Sequence, residues 1–482
     1  MGLRSVPDVP TLLTGWGRTA PTRATVIAPS GSAGSSRAPG PAAGGALDAL
    51  AEAVLASGAG GARGIIARGL GRSYGDAAQN SGGTVVDMTA LARVEAIDLA
   101  AGTVTAGGGL SLDSLMRIVL PLGFFVPVTP GTRYVTLGGA LASDIHGKNH
   151  HLDGSFSDHV LAFDLMTGTG EVITVTPGGS PDAFAATAGG MGLSGIVTSV
   201  TLRLLPVATS LMRVDTERVG GLDELMNRMS ARDDDYRYSV AWIDTLARGA
   251  SMGRAVLTRG DHAELGELPA KAARDPLRFS PHPRLVAPDV FPSGALNRLS
   301  VRAFNELWFR KAPVRHTGLE SIATFFHPLD GVGDWNRIYG PRGFVQYQFV
   351  VPFGAEETVR AAVGRLSDAR CPSFLAVLKR FGPGNGHPLS FPAPGWTLAL
   401  DIPAGLPGLA GLLDGLDGLV AEAGGRVYLS KDSRLRPDLL PAMYPGLDRW
   451  RELRAKLDPT GVFVSDLARR LTLTAAPALV GC

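Results

Sequence analysis

The hydrophobic and polar positions of the first 200 residues predict short strands separated by glycine-rich turns, with few long helices. Apolar spacing favours helices over 46–57, where Gly58 provides a stop, and over 111–119. Short apolar or alternating runs predict strands at 64–68, 84–88, 103–106, 123–128, 160–167, 171–175 and 195–205. A regular succession of strand, helix and strand is not visible, and we therefore predict an α+β fold class.

The pattern changes after Pro206, where longer strands alternate with amphipathic helices. Strands are predicted at 236–243, 344–352, 374–381 and 397–402, and helices at 222–231, 356–368 and 408–423. This region, 207–423, is typical of an antiparallel sheet covered by helices. The Gly/Pro-rich segment 29–45 is predicted to be a mobile loop, and the tail carries helical pieces at 438–457 and 464–472. A polar, Pro-rich stretch runs over 259–297, and the sequence does not decide whether it forms an ordered lid.

The composition narrows the class of protein. Hydrophobic residues make up 45% of the 482 residues and charged residues 19%, which is typical of a folded globular chain. A net charge of +2 argues against nucleic-acid binding, and two cysteines cannot form a disulfide framework. The first ten residues lack the apolar core of a secretory signal, and no apolar stretch reaches the ~18 residues that span a bilayer. The sequence alone therefore predicts a cytoplasmic location.

Lysine is rare in this chain and marks positions of interest. Only six of the 46 basic residues are lysine, and the other forty are arginine. Lysine is a compact charge whose pKa falls on burial, whereas guanidinium stays charged, so a retained lysine suggests a chemical role. The alternative is that a given lysine is a surface residue kept by neutral sequence drift. Three of the six, Lys148, Lys379 and Lys431, fall in the motifs described next.

A first motif follows the strand at 64–68. Glycines at this density let backbone N–H groups approach a phosphate closely. The motif lacks the glycine spacing of a Rossmann fingerprint, and it is no P-loop. It matches G-x-S-x-G, the nucleophile elbow of hydrolases, but the residues after Ser73 make a poor helix, and an ordinary turn is the other alternative. Its residues are Ala67, Arg68, Gly69, Leu70, Gly71, Arg72, Ser73, Tyr74, Gly75, Asp76 and Ala77.

A second motif combines glycines with four histidines between 146 and 159. A metal site is disfavoured because a lysine stands among the histidines and no ligand spacing is recognisable. We expect a glycine-lined wall with an inward imidazole, His146, and an inward ammonium, Lys148. Surface positions are expected for His150, His151 and His159. The residues of this wall are Gly131, Thr136, Leu137, Gly138, Gly139, Ser143, Asp144, Ile145 and His146.

A third group of polar residues lies on later strands. Gln346 and Gln348 share one face of an apolar strand, which suits a polar ligand; an exposed sheet face is the alternative. Lys379 lies on another predicted strand. Lys431 follows Tyr428 in the tail.

Together these segments resemble the vanillyl-alcohol-oxidase-type FAD flavoproteins, which have the PCMH fold. Within that family the chain is most similar to the flavin subunits of a polyprenylphosphoryl-sugar 2′-epimerase of arabinan-walled bacteria. The similarity is carried from residue 12 to 472 by LTGWGRTAP, ARGLGRSYGDAAQN, DIHGKNHH, APDVFP, QYQFV, LSFPAPGW, KDSR and SDLARRL.

The resemblance implies a PCMH-type FAD-binding domain built from both chain ends, 7–208 and 425–482, with an inserted antiparallel-sheet substrate domain, 209–424. FAD would contact the first two motifs together with Val197 and Tyr428. Relatives often tether the flavin through a histidine at the position of Arg72, so FAD is expected to be non-covalent.

The resemblance also implies a reaction. The ribose 2-hydroxyl of decaprenylphosphoryl-β-D-ribose would lose its proton to a base while C2 passes a hydride to the flavin, yielding the 2-keto sugar. Lys431 and His146 are candidates for the base, with Tyr74 beside them, and the sequence does not decide between the two. Lys148, Gln346, Gln348, Lys379 and Lys431 would line the sugar site.

Further implications concern partners and pathway. A separate NADH-dependent reductase would return the keto sugar as arabinose for cell-wall arabinan, and the lipid substrate implies contact with a membrane surface at the cell envelope. Thr397 and Ala399 replace an asparagine and a cysteine found in some relatives, which could alter polar contacts near the flavin. The alternatives are an aldonolactone or alditol oxidase that uses dioxygen, and a flavoprotein-shaped binding subunit without activity.

Overall fold

Twenty-two strands form in the residues that the computed structural model describes, which are 4–5, 10–29, 42–58 and 62–474. The strands are β1 Arg4–Ser5, β2 Thr11–Leu13, β3 Thr22–Ala28, β4 Ile65–Arg68, β5 Thr84–Asp87, β6 Val94–Asp98, β7 Thr103–Gly107, β8 Phe124–Phe125, β9 Val160–Met166, β10 Val172–Val175, β11 Ile196–Arg203, β12 Leu205–Pro206, β13 Leu211–Val219, β14 Tyr238–Ile243, β15 Ala255–His262, β16 Leu285–Val286, β17 Arg315–Ser321, β18 Val332–Gly333, β19 Phe344–Pro352, β20 Ala376–Phe381, β21 Gly395–Pro403 and β22 Arg426–Val427.

Thirteen α-helices accompany them in the same part of the chain. They are α1 Ala42–Ser57, α2 Leu112–Val119, α3 Leu137–Ala142, α4 His150–Asp153, α5 Pro181–Thr187, α6 Leu222–Arg232, α7 Arg298–Lys311, α8 Ile322–Phe326, α9 Glu356–Asp368, α10 Leu409–Glu422, α11 Leu440–Met443, α12 Leu447–Leu457 and α13 Asp466–Arg470. None of the helices in the described ranges is both long and apolar enough to cross a membrane. The mixture of helices with mainly antiparallel sheets confirms the predicted α+β class.

Two five-stranded sheets form from the first 203 residues. The first has the order β1-β3-β5-β4, with β2 beside β3, and its β3, β5 and β4 are parallel. The second has the order β10-β9-β11-β7-β6 and is antiparallel. The tail reaches back to the first sheet, where Ile65 of β4 forms a parallel bridge with Phe463.

One antiparallel sheet of eight strands dominates the rest of the chain. Its order is β17-β13-β15-β14-β20-β21-β19-β22. Helices α6, α9 and α10 bury apolar residues against it; in α9 these are Val359, Val363 and Leu366, spaced for one helical face. The same core continues through Ile66 of β4 to Trp450 of α12, so the two ends of the chain and its middle pack on one another.

The predicted elements differ from the structure mainly at charged or proline-containing segments. Bounds match for β19 and α9, but the strand predicted at 123–128 shortens to Phe124–Phe125, because Pro127 has no N–H to donate to a ladder. Helix α1 begins at Ala42, inside the predicted loop 29–45, of which residues 30–41 lie outside the described residues. Strand β15, which was not predicted, extends to His262 and so into the polar, Pro-rich stretch 259–297.

Candidate active site

A cavity of about 720 Å³ lies where the three sequence motifs meet. The size lies within the range of small-molecule and cofactor sites. Most of the predicted site residues line it: Ala67, Gly69, Leu70, Gly71, Arg72, Ser73, Tyr74, Ala77, Gly131, Thr136, Gly138, Gly139, Ser143, Ile145, His146, Lys148, Val197, Gln346, Gln348, Lys379, Tyr428 and Lys431. The glycine turn after β4 and the segment 143–148 thus face one common space.

The glycine turn presents a row of free backbone donors to this space. Among the described residues, no acceptor takes the N–H groups of Leu70, Gly71, Arg72 and Ser73, and all four residues line the cavity. Gly71 has φ = 64°, a left-handed conformation that glycine adopts without strain. Successive free N–H groups form an anion-binding concavity. A Cβ on Gly131 would meet nothing within 4 Å, so the opposite wall leaves open space. These features fit a pyrophosphate-containing cofactor such as FAD.

The tail of the chain holds the glycine turn in place. The Arg470 guanidinium donates to both oxygens of Asp76, at 2.8 and 2.9 Å, and to Asp432 at 2.8 Å. The Tyr74 N–H donates to the carbonyl of Ser430 at 3.1 Å. A Cβ on Gly75 would lie 2.0 Å from the carbonyl oxygen of Asp432, so the two segments touch directly. The tail segment that carries Lys431 is therefore fixed against the glycine turn that would bind the phosphates.

Five of the predicted cofactor contacts do not line the cavity. Arg68 donates to the carbonyls of Thr14 and Ala78, Leu137 is fully buried, and Gly75 and Asp76 face the tail. The Asp144 carboxylate accepts from the N–H of Ser157 and from the side chains of Asn385 and Ser390. These residues support the cavity wall from behind. They were predicted as cofactor contacts because they lie in the same motifs as the residues that line the cavity.

Arg72 fills the position where a tethering histidine is found in relatives. Its guanidinium carbon lies 3.7 Å from the centre of the Trp16 ring and 5.3 Å from that of Tyr134. Burial, partly offset by Asp330, lowers its pKa. A guanidinium held between two aromatic rings at the cavity wall is not a nucleophile.

His146 has a protein neighbour at each ring nitrogen. Lys379 Nζ lies 3.2 Å from Nδ1, and the Gln348 side-chain nitrogen lies 3.0 Å from Nε2. Burial, and then the charge of Lys379, lowers the pKa of His146 well below its usual value. The ring packs among Phe381, Phe391 and Tyr428. The imidazole is therefore neutral and fixed in orientation.

Lys431 differs from His146 because its amine has no hydrogen-bond partner among the described residues. The amine lies 4.2 Å from the centre of the Tyr74 ring and lines the cavity. Burial lowers its pKa to about 8, while Asp401 acts in the opposite direction. A large fraction of Lys431 is then neutral near pH 8.

Two further lysines carry charge into the same cavity. Lys148 donates to the carbonyl of Phe325 at 2.5 Å, and its amine lies 4.1 Å from the centre of the Phe325 ring. Burial lowers the pKa of Lys148 to about 8 and that of Lys379 to about 7, the latter with contributions from Lys148 and Lys431. The three clustered amines favour an anionic ligand. A bound anion would stabilise their protonated forms and so raise their pKa values again.

Asp401 does not line the cavity, but it supports two residues that do, and the sequence did not single it out. The Gln346 amide donates to its carboxylate at 2.5 Å, and Asp401 is fully buried on β21 beside Lys431. Burial raises its pKa to about 7. The available signal was one carboxylate within the apolar run Trp396 to Ile402.

The structure corrects one expectation and excludes two alternatives. His150 is not at the surface: it is 1% exposed, neither ring nitrogen has a partner in the described residues, and it packs on Phe381. Gln346 and Gln348 are buried, so the exposed sheet face is wrong. Turns and loop follow Ser73 up to β5, so the helix of a nucleophile elbow does not form there.

Comparison with known proteins points to one family. A profile described as FAD binding domain matches residues 47–176, and one described as D-arabinono-1,4-lactone oxidase matches residues 412–471. The chain is 45% identical to decaprenylphosphoryl-beta-D-ribose oxidase of Mycolicibacterium smegmatis over 475 residues, which cover 98% of this chain and all of that protein.

Two other similar proteins add context. An uncharacterized protein in the mprA 5′ region of Streptomyces coelicolor is 47% identical over 372 residues, 76% of this chain and all of that protein. L-gulono-1,4-lactone dehydrogenase of Mycobacterium tuberculosis is 24% identical over 417 residues, 84% of this chain and 90% of that protein. With this coverage and this wall of free donors, the chain belongs to the decaprenylphosphoryl-β-D-ribose oxidase family, whose members are FAD-binding oxidoreductases.

Proposed function

We propose that this protein oxidises the 2-hydroxyl of the ribose of decaprenylphosphoryl-β-D-ribose to a ketone, the first half of an epimerisation to the arabinose sugar. The observation that supports it most is the placement of Lys431 and two further lysines in the same cavity as the glycine wall. The name of the 45% identical relative indicates the same substrate.

The glycine turn 69–73 and the wall from Gly131 to Ile145 would hold FAD, which supplies the hydride acceptor for the ribose C2 when it is bound. Four free N–H groups suit its pyrophosphate. Because Arg72 occupies the tethering position between two aromatic rings, the cofactor is held without a covalent bond.

Lys431 is the base in this proposal, and His146 is a positioning residue. Both ring nitrogens of His146 lie within hydrogen-bond distance of a protein group. The amine of Lys431 has no hydrogen-bond partner among the described residues and lies beside the Tyr74 ring. A neutral amine with a pKa of about 8 can take the 2-hydroxyl proton near physiological pH. His146 holds the side chains of Lys379 and Gln348 in position on the side of the cavity that would receive the sugar.

Lys148 and Lys379 would bind the phosphate that joins ribose to the lipid. An ammonium group is a point charge that suits a phosphate oxygen. Both amines are buried, and an aromatic ring lies beside each, Phe325 for Lys148 and Phe381 for Lys379. Burial strengthens the attraction to a phosphate. Gln346, held by Asp401, would contact sugar hydroxyls.

The wider setting follows from the chemistry of the product. Reduction of the 2-keto sugar to the arabinose epimer needs a hydride donor, and we propose that a separate NADH-dependent reductase supplies it and that the lipid tail enters from a membrane. We also propose the division into an FAD-binding domain, 7–208 with 425–482, and a substrate domain, 209–424. Seven of the eight strands of the large sheet, all except β22, lie within 209–424 and support this division.

A second candidate is an aldonolactone oxidase that uses dioxygen. It is favoured by the match of residues 412–471 to the D-arabinono-1,4-lactone oxidase profile. That segment includes Lys431 but neither Lys148 nor Lys379, which an uncharged lactone does not need.

Anaerobic titration of the FAD-loaded protein separates the two. We expect decaprenylphosphoryl ribose to bleach the flavin absorbance and L-gulono-1,4-lactone to leave it unchanged, with slow return of colour in air. Bleaching by the lactone alone, or rapid reoxidation by air, would favour the second candidate.

A further inference from the structure

Helix α7 buries little of its surface against the rest of the protein. Only Val301 and Asn305 on this helix are buried, so one narrow stripe attaches it. Leu299 is 77% exposed and Leu307 is 68% exposed. Their spacing of eight residues places both on one ridge of the helix. Phe304 and Trp308, which stack on each other, are also more than 40% exposed.

The chain continues this apolar surface beyond the helix. Val314, three residues after α7, is 69% exposed. We call Leu299, Phe304, Leu307, Trp308 and Val314 the α7 surface. A soluble monomer seldom exposes so many large apolar side chains in one short segment, so the surface is expected to be covered in use.

The charge around the α7 surface is positive. Residues 284–320 contain six lysines and arginines but three acidic residues. Two of the acids are neutralised by arginine: Asp289 pairs with Arg18, and Glu306 pairs with Arg254 and Arg310.

The basic residues beside α7 are less well compensated. Arg298 and Arg302 form no ion pair with any described residue. Partial desolvation and the nearby charges of Arg370, Arg248 and Arg302 lower the pKa of Arg298, which places several arginines close together. An anionic partner would relieve their mutual repulsion.

The α7 surface is continuous with the entrance to the active-site cavity. Trp308 belongs to both, and Lys311, Ala312 and Pro313 line the cavity immediately after it. A ligand whose polar head occupies the cavity would leave this entrance with its remainder beside α7.

We propose that the α7 surface seats the protein on an anionic lipid bilayer, with the cavity entrance facing the membrane. This rests on the proposed function, because a polyprenyl tail would then stay in the bilayer while its phosphosugar enters the cavity. An apolar ridge with a tryptophan and a rim of unpaired arginines matches the interface of an anionic membrane in both polarity and charge.

Vesicle sedimentation with the full-length, FAD-loaded protein tests this. We expect binding to phosphatidylcholine vesicles that contain phosphatidylglycerol. The double variant Leu299→Glu/Leu307→Glu should bind at least about tenfold more weakly, because two apolar side chains leave the interface. The control Leu99→Glu alters a leucine that is 55% exposed in the turn between β6 and β7 and should bind like the wild type.

The charge is tested separately. Arg298→Gln/Arg302→Gln should weaken binding by roughly fivefold per arginine on anionic vesicles and leave binding to pure phosphatidylcholine unchanged. FAD content and the melting temperature, measured for every variant, establish that each one folds.

Flavin bleaching by substrate dispersed in detergent separates this inference from the proposed function. The leucine variant should bleach at the wild-type rate, since neither residue lines the cavity. No bleaching by the wild type overturns the proposed function but not the membrane surface. If the wild type does not bind the vesicles, or if Leu99→Glu weakens vesicle binding as much as the leucine double variant does, the membrane proposal is overturned. If the wild type does not bind vesicles but forms a dimer, and the leucine variant is monomeric, the α7 surface contacts a second copy of the chain. That result also overturns the membrane proposal.

Discussion

The chemistry of the site depends on how burial changes the charge of individual lysines. An exposed lysine stays protonated and cannot accept a proton at neutral pH. Here Lys431 has a pKa of about 8 and an amine without a hydrogen-bond partner in the described residues, so it is available to take a proton from a substrate.

Replacing Lys431 tests that assignment. Lys431→Ala should retain FAD, because the glycine wall holds it, but lose about 10²–10⁴-fold in the rate of flavin reduction. In the wild type this rate should rise with pH, reach half its maximum near pH 8 and level above that, because only the neutral amine acts as base and raising the pH removes its proton. A flat pH profile, or normal reduction by the variant, would remove Lys431 from the mechanism.

Asp401 should tune the same profile. Its negative charge raises the pKa of Lys431, so Asp401→Asn, which keeps an acceptor for Gln346, should shift the rising limb to lower pH. Asp438→Asn changes an exposed carboxylate paired with Arg436 and should leave the limb in place. A shift to higher pH in Asp401→Asn would contradict the electrostatic role of this residue.

Single residues were predictable only where their type was unusual. The scarcity of lysine pointed to three residues that the structure brings into one cavity. The buried states of His150 and Asp401 could not be read from the sequence, because burial depends on partners remote in the chain, such as Phe381 and Gln346.

At the level of elements, the tail and the glycine turn are joined by charge. Arg470, near the end of α13, bridges Asp76 in the turn and Asp432 next to Lys431. One side chain thus ties together the segment that would hold the cofactor and the segment that carries the base.

Arg470→Ala should be costly for this reason. Two mostly buried carboxylates lose their partner, and the free energy of unfolding should fall by about 3–5 kcal/mol, with loss of FAD on dilution. Arg449→Ala, which breaks an exposed pair with Asp182, should cost less than about 1 kcal/mol. Denaturant titration checks both, and equal stabilities of the two variants would show that the Arg470 bridge is not a structural tie.

Elements were predicted where one face is apolar and missed where charge or exposure hides the pattern. Helix α9 was found with its bounds because its buried residues repeat every three or four positions. Strand β15 was not predicted, because its second half carries Arg259, which is buried through its pair with Glu217. Helix α7 was missed because it buries only Val301 and Asn305 and therefore has no apolar stripe facing inward.

At the scale of the whole molecule, the two chain ends together build the proposed cofactor site, which would hold the flavin without a covalent bond. Contacts between 62–77 and 428–470 join the ends, and Arg72 stands at the tethering position.

Acid precipitation of the purified yellow protein tests the cofactor link. We expect all flavin in the supernatant and a colourless pellet, because Arg72 cannot form a bond to the flavin ring. Flavin that stays in the washed pellet would mean that another side chain provides a covalent link.

The hydride step offers the most direct test of the central claim, that this cavity places the ribose C2 between a flavin and Lys431. Anaerobic stopped-flow measurements would compare flavin bleaching by decaprenylphosphoryl ribose carrying deuterium at C2 with bleaching by the same compound deuterated at C3. We expect severalfold slower bleaching for the C2 compound and an unchanged rate for the C3 compound. Equal rates for both compounds, or slowing only for the C3 compound, would contradict it.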